Sequence, residues 1–429
     1  MTLSVEQIKR WGLKGGISIL DQGVFSVANF VPSVFLARWL PSEQFGAYAI
    51  GLTVLIFVYQ FYIAFLLDPM GVLGPAHFSD NLKAYFLIHL RSHFMITILA
   101  GFFFIIAAFA WSGNQLLIKQ TLFVIGGTLP LLLLPWYFRR VFYILGRPGI
   151  SLWGSLVYAA SLVVLTIPLR QLNLLSSTSA LLATAMAGLL SGAYLLFAFQ
   201  LRKSNSSLTS FTDVMIQNWQ FGKWLIMSSI FIAFASQVQI WISAKFLGLN
   251  ASGALRALQV ITQPMMLTIS ALTALVTPAI SLEFSKGDFN GFNRKVFLLS
   301  TSLLLLAVLF EAFLLLFNIP IEKFIYGGRF SIYNSLLPVW GMIPLLLACS
   351  SGMQAGFQAA QKPQALLVAA VLWALISLGF GIWFTLRLGV VGATWSTLLG
   401  YAIFVLILSI LYWHWVYRPF ALSRRNYHN

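Results

Sequence analysis

Carboxylates are scarce: 10 of the 429 residues are Asp or Glu, against 26 Lys and Arg, and charged residues make up only 8% of the chain. No H-E-x-x-H, phosphate-binding glycine loop or paired-carboxylate arrangement is present, which argues against a hydrolytic or metal-assisted enzyme. The single cysteine, Cys349, lies in an apolar run and excludes an internal disulfide or a thiolate metal cluster. Five histidines are scattered without metal-ligand spacing. His89 and His93 stand four apart with no carboxylate beside them and read as juxtamembrane. A cleavable signal peptide is also missing. Lys9, Arg10 and Lys14 precede the first apolar run, but polar residues interrupt that run and no A-x-A site follows. No long polar segment exists to build a soluble domain, so the net charge of +16 does not point to nucleic acid. Cytoplasmic loops, anionic headgroups and an anionic substrate account for it better.

What remains is apolar: 59% of residues are hydrophobic and the mean hydropathy is +0.88. Runs of about 20 apolar residues recur, each able to cross a hydrocarbon core about 30 Å thick. Backbone groups in lipid must bond within the segment, so these runs are helices. The short alternating segments of a β-barrel do not occur. The reading is an all-α polytopic membrane protein of about 12 transmembrane helices, in two parallel six-helix halves around a central cavity. The spans are expected near 14–38, 45–67, 92–111, 117–137, 149–169, 178–200, 221–246, 251–280, 296–317, 333–357, 364–386 and 391–416. Residues 2–11 read as a short amphipathic surface helix. The longest loops, 68–91 and 201–220, fall on one side. The second reads as a linker, which divides the chain into an N-terminal bundle (1–205), a linker (206–220) and a C-terminal bundle (221–429). With the N-terminus inside, 18 of the 26 Lys and Arg fall on the cytoplasmic side, so both termini are expected there.

The first span does not look like a lipid-facing helix. At about 100° per residue, Ser18, Gln22, Ser26, Asn29 and Ser33 share one sector, with Asp21 to one side. Such a stripe lines a bundle interior or an aqueous cavity, or glues helices together. A shift of 207 positions lays Ala37-Arg38-Trp39-Leu40 over Ala244-Lys245-Phe246-Leu247 and Gly46-Ala47 over Gly253-Ala254. The same shift puts Gln22 over Ser229 and Asn29 over Ser236, where the seventh span has its own stripe of Ser229, Ser236, Gln239 and Ser243. Pro75-Ala76 matches Pro278-Ala279, and Arg147-Pro148 matches Lys362-Pro363. The same order in both halves signals a repeat.

Asp21-Gln22, Phe35-Leu36-Ala37-Arg38-Trp39-Leu40, Phe45-Gly46-Ala47-Tyr48, Leu67-Asp68-Pro69-Met70 with Leu73-Gly74-Pro75, and Gly146-Arg147-Pro148 resemble the polysaccharide (O-antigen type) flippases. These belong to the multidrug/oligosaccharidyl-lipid/polysaccharide exporter superfamily. The resemblance spans the chain and is densest in its first 75 residues. It implies translocation of an undecaprenyl-pyrophosphate-linked oligosaccharide across a bacterial inner membrane by alternating access. Membrane lipids and polysaccharide polymerase machinery are then the expected partners. Many members have fourteen helices; with twelve, no lipid-tail groove built from extra C-terminal helices is inferred.

A lipid-linked sugar needs cations for its pyrophosphate and amides and aromatic faces for its hydroxyls. Arg256 opens a row with Gln259, Gln263 and Ser270 within a narrow sector of one helix, and a guanidinium there can bind phosphate oxygens bidentately. Snorkelling to the outer headgroups is the competing role. Gln22, Asn29, Ser236 and Gln239 on the first and seventh spans complete the candidate lining. Arg139 and Arg140, at the cytoplasmic end of the fourth span, either receive the pyrophosphate or anchor the helix. Tyr59 and Tyr62, near Gln60, are candidates for stacking on sugar. Asp21 and Glu311 are intramembrane carboxylates and candidate ion-coupling groups, for a proton or sodium; Asp21 can instead pair with Lys or Arg. No cofactor or metal is expected. Two other classes compete: a cation-coupled multidrug-type antiporter of the same superfamily, and a membrane enzyme such as a polymerase or ligase. The short outward loops, whose only acids are Glu43 and Glu322, disfavour the enzyme.

Overall fold

A computed structural model describes residues 5–110, 116–199, 210–360 and 362–419, with the side chains of residues 5–13, Asp80 and Pro363 outside that description. Every element described is helical: α1 (Val5–Trp39), α2 (Ser42–Tyr62), α3 (Asp68–His77), α4 (Leu82–Ala110), α5 (Leu116–Ile144), α6 (Pro148–Gln171), α7 (Ser177–Phe199), α8 (Phe211–Phe246), α9 (Leu249–Ser285), α10 (Phe289–Tyr326), α11 (Leu337–Ala359) and α12 (Pro363–Tyr412). Among the described residues, eleven continuous helical stretches are long and apolar enough to cross a membrane. The last of them is two spans. A straight helix of 50 residues would run about 75 Å, far beyond a hydrocarbon core. Gly389 breaks α12 at φ 61°, ψ −139°, a conformation glycine adopts without a Cβ clash. Beyond it the chain doubles back, so that Trp373 and Tyr401 bring their rings to 4.6 Å. Twelve spans result among the described residues, and the protein is a multi-pass membrane protein.

The chain forms two compact units, residues 1–223 and 224–429. In the first, α5 is the central column and packs against α2, α4, α6 and α7. Small residues permit this closeness. A Cβ on Gly101 of α4 would run into the Gly126 carbonyl of α5, and one on Gly188 of α7 into the Leu131 carbonyl. In the second unit α11 takes that place, packed against α9, α10 and α12. There the Gly352 amide donates to Ser300 Oγ on α10 at 3.0 Å. The matching Arg-Pro and Lys-Pro turns share a conformation: Arg147 sits at φ −116°, ψ 58° and Lys362 at φ −114°, ψ 61°. Each donates its amide five residues back, to Phe142 and Phe357, at 2.9 and 3.0 Å.

Four expectations need correction. Segment 68–91 is not a long loop. The second span continues through a π-turn (Ile63–Leu67) into α3, and α4 opens at Leu82. His89 and His93 consequently lie on α4 and are fully buried rather than juxtamembrane. His89 Nδ1 bonds the Tyr85 carbonyl at 3.0 Å and its Nε2 meets Asn218 Nδ2 at 3.0 Å, while His93 bonds Tyr62 and the Pro130 carbonyl. The linker is helical from Phe211, so α8 starts ten residues before the expected seventh span; residues 201–209 lie outside the described residues. Residues 5–11 form no separate surface helix but the first turns of α1; residues 2–4 lie outside the described residues. The common cause is that a helix can outrun the hydrocarbon core, and hydropathy marks only the part inside it.

Candidate functional site

Asp21, beside the polar stripe of α1, faces α5 and α6 and is 0% exposed. Its carboxylate accepts from Arg139 Nη2 at 3.0 Å and Nε at 3.3 Å, from Tyr143 Oη at 2.5 Å and from Ser155 Oγ at 2.5 Å. Both carboxylate oxygens are therefore occupied, by donors more than 110 residues away in sequence. Removing one member of such a pair strands a buried charge and costs about 3–5 kcal/mol. Arg139 also donates to Gln22 Oε1 at 3.1 Å, and Gln22 itself is exposed. The guanidinium lies over the Phe25 ring, 3.9 Å from its centroid, with Trp136 at 5.7 Å. Phe25 meets Trp136 edge to face at 4.6 Å and lies tilted against Tyr158 at 5.1 Å, and Tyr59 continues the ledge 4.2 Å from Trp136. One turn along, Tyr158 Oη donates to Asn29 Oδ1 at 3.2 Å.

This cluster joins residues that sequence reasoning held apart. Asp21, Gln22, Asn29 and Arg139 meet at one place. Lys14 does not touch Asp21; its ammonium reaches toward Gly146 instead. Arg140 sits beside the cluster on its own partners, the Leu67 carbonyl at 3.1 Å and Asp68 at 3.3 Å, and this pair is partly exposed. Tyr62 is fully buried against His93, so of the two tyrosines only Tyr59 belongs to the ledge. Tyr143, Ser155, Tyr158, Phe25 and Trp136 were not singled out from sequence. Ser151, Ser155 and Tyr158 recur at helical spacing along α6, which is a legible polar face.

The remaining candidates lie in the second unit. Arg256, 5% exposed, donates to Gln259 Oε1 at 2.8 Å near the start of α9. Gln263 is half-buried one turn further on. On α8, Ser236 bonds its own helix at the Ala233 carbonyl, and Gln239 Nε2 donates to the Ser377 carbonyl of α12 at 2.9 Å. Glu311 is buried on α10 against Gly341 of α11, and its Oε2 has no hydrogen-bond partner among the described residues. Ser270, the end of the sequence-predicted row, lines a cavity of about 250 Å³ between α9 and α11.

No protein-family model and no curated protein sequence matches the chain. Solved structures do match its fold. A multidrug resistance MATE family transporter of the MOP superfamily, in an inward-facing conformation, superposes with a TM-score of 0.75 at 12% identity, covering 95% of this chain and 99% of that one. The lipid II flippase MurJ, in an inward closed conformation, gives 0.69 at 14% identity over 91% and 86%. An outward-facing MATE transporter of the same superfamily gives 0.68 at 11% over 97% and 96%. The chain has the fold of these membrane transporters.

Proposed function

We propose that the protein is a flippase, moving an undecaprenyl-pyrophosphate-linked oligosaccharide from the inner to the outer leaflet of a bacterial inner membrane. It alternates access between its two units, with both termini in the cytoplasm and polysaccharide polymerase machinery as the downstream partner. The observation that carries the reading is Arg139: a buried guanidinium on an aromatic ledge, bordered by the exposed amide of Gln22. A pyrophosphate is the anion best able to take this guanidinium from a carboxylate, because it offers several oxygens in matching geometry. Asp21 is then the counter-ion that holds Arg139 while no substrate is bound. A proton delivered to Asp21 neutralises the carboxylate and frees the guanidinium for pyrophosphate, which couples substrate capture to protonation. Glu311 is a second candidate coupling group, in the other unit. The surplus of cations over carboxylates and the fold shared with a lipid II flippase support the same reading.

A cation-coupled multidrug antiporter is the second reading, favoured by the MATE neighbours and by the carboxylate in α1. The four hydrogen bonds on Asp21 weigh against it, since they leave that carboxylate no free face for a cationic drug. Deletion of the gene, with restoration by wild type, Asp21→Asn or Arg139→Gln at matched membrane levels, tests the choice. Loss of surface polysaccharide with lipid-linked precursor accumulating at the inner leaflet is the expected result. Intact polysaccharide with reduced drug efflux would establish the antiporter instead.

A further inference from the structure

The coupling role proposed for Asp21 needs a proton to reach, and later to leave, a carboxylate that is 0% exposed. Among the described residues three side chains hold its oxygens: Arg139, Ser155 and Tyr143. Arg139 is itself buried, and a guanidinium does not deprotonate in a protein. Ser155 on α6 is 0% exposed, so its hydroxyl has no water from which to draw a proton. Gln22 is exposed, but its oxygen is bonded to Arg139 and its amide carries no exchangeable charge. Tyr143, in the last turn of α5, differs from all of these. It is half-buried, and its hydroxyl donates to Asp21 Oδ2 at 2.5 Å. Three residues further on, the exposed Lys14 ammonium stands beside Gly146, where a Cβ would meet it at 3.3 Å. An exposed ammonium is strongly hydrated, which brings water to this end of the cluster.

The same hydroxyl has a second acceptor within reach. Tyr143 Oη lies 3.3 Å from the Ser18 carbonyl, just under one turn before Asp21 on α1. A phenol has one proton to donate and lone pairs with which to accept. With Asp21 ionised, that proton lies on Asp21 Oδ2. With Asp21 protonated, the new O–H donates back to Tyr143 Oη and the phenol proton turns to the Ser18 carbonyl, so neither state strands a donor. We propose that Tyr143 is the proton-exchange residue of Asp21. A proton from water bonds to the phenol oxygen as the phenol's own proton passes to Asp21 Oδ2, and the reverse sequence discharges the carboxyl. One O–H bond breaks on the water side and one on the phenol; one forms on the phenol and one on Asp21, for a net gain of one proton. The other titratable and charged groups nearby are engaged elsewhere. Tyr59 on α2 packs on Trp136, Tyr158 on α6 donates to Asn29, and Arg140 on α5 is tied to Asp68 on α3. The inference rests on the reading of Asp21 as a group that takes up a coupling proton.

The test is a pH jump on the full-length protein in nanodiscs, followed by infrared difference spectroscopy. The carboxylic acid C=O band of Asp21 is identified by its loss in Asp21→Asn. Tyr143→Phe and Ser155→Ala each remove one hydrogen bond from Asp21, so a merely structural role predicts the same consequence for both. A proton relay separates them. Tyr143→Phe should slow the appearance of the band about a hundredfold, the lower end of what a positioned proton-transfer group contributes, while Ser155→Ala keeps the wild-type time course. Wild type alone supplies a second readout. Its difference spectrum should contain a tyrosine C–O band, missing from Asp21→Asn, as the phenol turns from the carboxylate to the Ser18 carbonyl. An unslowed Tyr143→Phe, equal slowing in both variants, or a wild-type spectrum without the tyrosine band would overturn the relay and leave Asp21 standing as the coupling group. A wild type in which no Asp21 band forms at any pH where the protein stays folded would overturn the coupling reading and the relay with it.

Discussion

Both units clip their first helix to other helices of the same unit, at positions about three turns apart under the 207-residue shift, and build the clip from opposite chemistry. In the first, α1 is held to α5 and α6 by a buried charge pair in which every oxygen of Asp21 has a donor. In the second, α8 is held to α12 by one amide bond, Gln239 to the Ser377 carbonyl. Gln239 Oε1, Ser243 Oγ, Ser377 Oγ and Thr385 Oγ1 are left without partners among the described residues. A saturated charge pair is an all-or-none contact, because half of it is worse than none. A neutral clip with spare acceptors loses its bonds one at a time. The first unit therefore has the arrangement suited to a switch, and the second the arrangement suited to graded binding.

The largest test of this contrast is Arg139→Ala. It should lower stability by about 3–5 kcal/mol, measured as the thermal midpoint in detergent, by stranding the Asp21 carboxylate. Adding Asp21→Asn to it should restore much of the loss. If the double variant is no more stable than the single one, the pair is not the unit of stability. Next in size is Gly341→Ala, whose new Cβ would meet the Glu311 carboxylate. A destabilisation of about 1–3 kcal/mol is expected from such overpacking. Glu311→Gln removes the unpartnered charge and should leave the midpoint unchanged or raise it; a fall like that of Arg139→Ala would mean Glu311 is as tightly paired as Asp21. Gln239→Leu, which severs the neutral clip, should cost about 1 kcal/mol. Tyr158→Phe loses a single hydrogen bond to Asn29 and should cost about 0.5–1.5 kcal/mol, comparable to Gln239→Leu.

Much of the architecture was legible because lipid imposes a simple rule on the backbone. Apolar length alone located the spans, and helical periodicity alone located the stripe holding Gln22 and Asn29, with Asp21 to one side of it. The division of α12 was also legible, where coordinates read only as continuous helix would hide it. The partner of Asp21 was not readable. Arg139 is 118 positions away, and nothing local distinguishes an arginine that anchors a helix from one folded over a phenylalanine ring. The α9–α11 cavity escaped for a related reason. Ser351, Gln354 and Gln358 form a face on α11 that means little until α9 supplies the opposite wall. Periodicity gives the face of a helix, and packing decides what that face meets.

The reversal at Gly389 bears on biosynthesis. To the machinery that threads nascent chains into a bilayer, residues 363–412 are a single apolar passenger with one charge, Arg387, near its middle. No hydrophilic loop separates the two limbs, so nothing in the emerging chain marks where the first crossing ends. The limbs must enter as a preformed hairpin or be sorted after release, with the glycine and the Trp373–Tyr401 contact deciding the fold-back. A charge-bearing epitope spliced in after Arg387 would convert that late decision into an early one.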